Sequence, residues 1–93
     1  MWLEILYIYI DNFNFDLTHL PNLKQLIIQC ENFNKSIDLL PISLEILEIY
    51  SYKFNQPVDN LGMNIEKLHI ASKNFKQSLE NVKYIKDICI THY

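Results

Sequence analysis

The stretch LEILEIYSYKFNQPVDNL, residues 44–61, carries the pattern that decides the fold. It opens as apolar-x-x-apolar-x-Ile, with Leu44, Leu47 and Ile49 in those places, and goes on to Phe54, Val58 and Leu61. Leu47 and Ile49 are two residues apart, so on an extended strand they fall on one face.

Moving outward, the same pattern recurs along the whole chain. Its first position is Leu3, Leu23, Leu44, Ile65 and Ile85, and its second is Leu6, Leu26, Leu47, Leu68 and Ile88. Its third is always Ile: Ile8, Ile28, Ile49, Ile70 and Ile90. Successive copies are 20, 21, 21 and 20 residues apart in each of these columns. A second block keeps the same beat. Phe13, Phe33, Phe54 and Phe75 are followed by Leu17, Ile37, Val58 and Leu79, and then by Leu20, Leu40, Leu61 and Val82. Six apolar columns in register mark a tandem repeat within one domain, residues 1–93. The units run approximately 1–19, 20–39, 40–60 and 61–81, with a partial unit at 82–93.

The period sets the shape. Some twenty residues are too few for a strand plus a long helix. They suit a strand, a turn, and an extended or short 3-10 return, as in a leucine-rich-repeat coil. Stacked coils would bring about five short strands side by side at about 4.8 Å, giving a narrow parallel sheet with little or no α-helix. The expected fold class is a leucine-rich-repeat-like solenoid, with the Phe column filling the core from the wall opposite the strands.

Composition narrows the function classes. The chain is 49% apolar and 20% charged, a folding composition, with a net charge of −3. Its eight basic residues are scattered, which argues against nucleic acid as a partner. Met1 to Ile10 is apolar, but Glu4 interrupts it, no basic start or small-residue cleavage site is present, and ten residues cannot span a bilayer. It reads as the first strand, and no membrane association is expected. Two cysteines without C-x-x-C spacing point to an intracellular, cytoplasmic protein in a reducing compartment. With a single Gly, other residues must make the turns, and Asn12, Asn32 and Asn74 are expected to bond turn backbone in its place.

Phe54-Asn55-Gln56-Pro57-Val58, preceded by Leu40-Pro41-Ile42-Ser43-Leu44, resembles one unit of the FNIP repeats, a leucine-rich-repeat-like family. Phe33-Asn34-Lys35-Ser36-Ile37 after Leu20-Pro21, and Phe13-Asn14-Phe15-Asp16-Leu17, are further copies. Phe75-Lys76-Gln77-Ser78-Leu79 lacks the Asn, and Leu61-Gly62 stands where Leu-Pro is expected. The resemblance implies a protein-interaction scaffold.

If the repeat Leu and Ile face inward, alternate residues face out. The first three strands then present Ile5, Tyr7 and Tyr9, then Gln25, Ile27 and Gln29, then Ile46, Glu48 and Tyr50. Ile5, Tyr7, Tyr9, Ile27, Gln29, Ile46, Glu48 and Tyr50 form the candidate protein-binding patch. The last two strands present Lys67, His69, Ala71 and Asp87, Cys89, Thr91. Cross-strand charge pairs are expected along Glu4, Lys24, Glu45, Glu66 and Lys86, and at Lys67–Asp87 and Glu48–His69.

Catalytic chemistry finds little footing. His19, His69 and His92 share no metal-ligand spacing, and the chain has no Gly-rich phosphate loop, so no metal or cofactor is expected. Cys89 and His69 share the outward column on adjacent strands and would be the only pair for a thiol hydrolase, but no third residue orients them. The expectation is a non-enzymatic protein-interaction module. The alternative is a structural or vestigial repeat fragment that self-associates through uncapped terminal strands.

Overall fold

The computed structural model describes residues 3–10 and 16–92. Asn12 and Phe13, assigned to turn and core columns above, and Asn14 and Phe15 of the first repeat-like copy lie outside the described residues. Five parallel strands make one sheet in sequence order: β1 (Ile5–Ile8), β2 (Gln25–Gln29), β3 (Ile46–Tyr50), β4 (Lys67–Ala71) and β5 (Asp87–Thr91). One 3-10 turn, η1 (Glu80–Val82), is the sole helical element among the described residues. The chain is a β-solenoid, as the period requires.

Register follows the repeat. Leu6, Leu26, Leu47, Leu68 and Ile88 align across all five strands, as do Ile8, Ile28, Ile49, Ile70 and Ile90. These columns join Leu23, Leu44, Phe33, Ile37, Phe54, Val58, Phe75 and Val82 in one buried core. Phe33, Phe54 and Phe75 stack with ring centroids 5.7 and 5.9 Å apart and planes within 3° of parallel. Offset parallel rings at that spacing are attractive beyond the area they bury.

The corners are turned without glycine-type backbone. No described residue has a positive φ, and Gly62 is no exception. Several corners are instead closed by an i→i+3 backbone bond, which needs only right-handed conformations. Phe33 N donates to Cys30 O after β2, and Phe54 N to Ser51 O after β3. Leu61 N donates to Val58 O within the return, and Leu44 N to Pro41 O before β3. One residue before the aliphatic of the return, Asp16, Ser36 and Ser78 accept the amide two residues on, while the third coil has Pro57, whose φ is preset.

Polar groups, two of them buried serines, bind coil to coil. Ser51 Oγ donates to Phe33 O at 2.7 Å and Ser72 Oγ to Phe54 O at 2.8 Å. His92 Nε2 reaches Phe75 O at 3.0 Å in the same column, and because the acceptor is a carbonyl this nitrogen carries the proton. Along the return, Asn34 Oδ1 accepts Asn55 N, and Asn55 Oδ1 accepts Lys76 N. Gln56 and Gln77 bond the same two asparagines from the following coil. The asparagine ladder thus runs through the residue after Phe, two places beyond the turn positions expected from the missing glycines. It joins coil to coil.

Candidate functional site

The pleat sends alternate strand residues to the outward face, and there the expected patch divides into an apolar and a polar part. On β1, Ile5 is 50% exposed and Tyr7 56%, and Tyr9, just beyond the strand, is 64% exposed. The Tyr7 and Tyr9 rings lie nearly parallel, 7° apart, with centroids at 6.4 Å. These side chains are two residues apart, the spacing that places rings side by side on one strand face.

Ile27 points the same way but is only 6% exposed. It lies in register between Tyr7 and Glu48, whose long side chains flank it. It therefore floors the patch and offers almost no contact area. Gln29 is exposed, and Ile46, Glu48 and Tyr50 are half-buried.

The polar part is a directed hydrogen-bond chain. Tyr50 Oη donates to Glu48 Oε1 at 2.6 Å, and Gln25 Nε2 donates to Glu48 Oε2 at 3.2 Å. His69 Nδ1 lies 3.4 Å from Tyr50 Oη, its ring edge-on to the tyrosine at 5.1 Å between centroids. Since the tyrosine proton is given to Glu48, the histidine nitrogen is the donor in that contact. The Tyr50 bond is the main reason the Glu48 carboxyl sits below the usual glutamate range; partial burial opposes it, and Gln25, Lys67 and His69 add to the lowering. Both carboxylate oxygens are engaged, so the centre of the face is held in one arrangement.

Several expected charge pairs take another form. Glu48 and His69 are in register, but the carboxylate is taken by Tyr50 and Gln25, and His69 reaches it through the phenol. Lys67 and Asp87 are in register without an ion pair, and the lysine charge acts on Glu48 instead. In the column leading into the strands, Lys24–Glu45 closes at 3.1 Å, and the remaining ion pair among the described residues is Lys83–Glu80 within one turn. Exposed side chains at neighbouring positions gain too little from pairing to hold a fixed geometry.

Gln25 and His69 were not in the expected patch, although they complete its polar half. The signal that could have found them is the outward column itself, which sets Gln25 beside Ile46 and His69 beside Glu48. Cys89 is exposed on β5 in register with His69, while Cys30 is buried with its Sγ 3.4 Å from Ile8 O. Among the described residues no group of His, Cys, Asp and Glu converges to hold a metal ion, and no helix is long and apolar enough to cross a membrane. In comparisons with known proteins, no family model matches the chain, and no curated protein or solved structure is significantly similar to it.

Proposed function

We propose that this protein is a non-enzymatic interaction module that binds a protein partner through the outward face over β1 to β3. The observation that carries the reading is the row of exposed Ile5, Tyr7 and Tyr9 beside the pre-ordered Glu48–Tyr50 cluster. Aromatic side chains bury much area on binding at small entropic cost, and a fixed polar group beside them supplies orientation. A sheet held in register by buried ladders keeps that surface rigid, which lowers the ordering cost of association.

The likeness of residues 40–58 to an FNIP unit supports the same reading, since such repeats resemble interaction scaffolds. The spacing and columns of Cys30 and Cys89 suit a reducing, cytoplasmic setting.

The test compares partner capture by the native chain, a face variant carrying Tyr7→Ser and Tyr50→Ser, and a return-side variant, Lys35→Ser. Circular dichroism verifies that all three are folded. A protein captured by the native chain and by Lys35→Ser, but lost from the face variant, is the expected result. Equal capture by both variants assigns binding elsewhere and overturns the site.

A further inference from the structure

β1 and β5 are the edge strands of the sheet, each paired along one side only. An open edge is a template for a further strand. In the register of the internal strands the two edges are complementary.

Inside the molecule, the residue leading into each strand offers its carbonyl to two amides of the following coil. Glu4 O accepts Lys24 N and Gln25 N at 2.8 and 2.9 Å, and Lys24 O accepts Glu45 N and Ile46 N at 2.9 Å each. Lys86 O is the corresponding acceptor before β5, and the amides of Glu4 and Ile5 are the corresponding donors at β1, with no further strand of the sheet beside either. Side-chain bonds also join each coil to the one before it. Ser51 Oγ to Phe33 O, Ser72 Oγ to Phe54 O, Asn64 Nδ2 to Ile42 O and Tyr84 Oη to Gly62 O all run from the later coil to the earlier one. Each open edge carries both amides and carbonyls, and in the internal register those of β5 meet those of β1, beginning with Lys86 O and the amides of Glu4 and Ile5.

Charge and apolar pattern agree with this. The column that holds the Lys24–Glu45 pair begins at Glu4 and ends at Lys86, so joining the two ends sets opposite charges side by side. Ile88 and Ile90 are partly exposed where their equivalents on β2 to β4 are fully buried, and their columns resume at Leu6 and Ile8.

We infer that the partner of these edges is a second copy of the chain, stacked head to tail. Its β1 pairs in parallel with β5 in the register of the internal strands, bringing Glu4 to Lys86, Leu6 to Ile88, Tyr7 to Cys89 and Ile8 to Ile90. A two-fold axis would reverse the strand and exchange the corners before and after it, so sheet and return could not both continue. Head-to-tail contact uses different surfaces on the two copies and does not close, so assemblies grow by repeated addition. The inference concerns the sheet edges and stands apart from the binding reading of the face.

Sedimentation velocity on the full chain over a range of concentrations tests it first. The native chain should form oligomers longer than dimers. Glu4→Lys and Lys86→Glu should each raise the concentration needed, roughly 3- to 10-fold, by setting like charges together. The double variant E4K/K86E restores opposite charges at the joint and should associate like the native chain. Cysteine linkage supplies a second readout, because Tyr7 and Cys89 of adjacent copies would be about 4.8 Å apart at Cα, within reach of a disulfide. In Tyr7→Cys, mild oxidation followed by peptide mapping should find residue 7 joined to Cys89 of another copy. A native chain that stays monomeric, a double variant no better than the singles, or mapping dominated by 89–89 links would overturn the inference.

Discussion

At the scale of single residues, the repeat columns are not equal in consequence. Phe54 is fully buried and has a parallel ring on either side, Phe33 and Phe75. Removing it would break both stacks and leave a void that neighbouring coils cannot close, since their own columns are held in register. Phe54→Ala should lower unfolding stability by about 3–5 kcal/mol in urea titrations, a large part of what a domain of this size possesses. Tyr52→Ala, at an exposed site two residues earlier where Lys73 lies over the ring, should cost about 1 kcal/mol or less. The contrast separates core aromatics from surface ones that composition alone counts alike.

At the scale of elements, the coil is joined to its neighbours by more than the sheet. Ser72 is wholly buried and serves the carbonyls of Phe54 and Tyr52 in the preceding coil. Ser72→Ala deletes the donor and leaves a buried acceptor without it, at a cost of about 1–3 kcal/mol. Ser78, exposed, accepts the amide of Glu80 within its own turn, and Ser78→Ala should cost nearer 0.5–1 kcal/mol. Equilibrium denaturation of the two variants checks whether the ladder between coils outweighs the bond within one. The column of small polar residues, Cys30, Ser51 and Ser72, could have been read from the sequence as two places beyond Ile28, Ile49 and Ile70.

At the scale of the whole molecule, each strand touches only its sequence neighbours, so the protein behaves as a short one-dimensional stack. Coils with two neighbours are held from both sides, and edge coils from one. Hydrogen exchange at concentrations where the chain is monomeric should therefore find the amides of Leu47 and Ile49 slowest. Those of Leu6 and Cys89 should exchange faster, through fraying that does not require global unfolding. Equal protection of all five strands would mean the chain opens only as one unit.

The repeat by itself determined the solenoid, the strand count, the order and the register, because the period of 20 and 21 residues is a geometric constraint on every coil at once. It also determined which strand face is apolar, since Leu47 and Ile49 cannot both point inward without sending Glu48 out. Tertiary structure alone decided how the outward face is finished. Ile27 is outward by parity yet covered, because Tyr7 and Glu48 come from strands twenty or so residues away in the chain. The carboxylate of Glu48 could have met His69 across the sheet, but Tyr50 on the same strand reaches it first and Gln25 takes its other oxygen. The turns follow the same logic. Scarce glycine reads as a deficit, whereas no described residue adopts the left-handed backbone that would call for one. Periodicity fixes what every coil must share. Competition among neighbouring side chains, decided only once the coils are stacked, fixes where they differ.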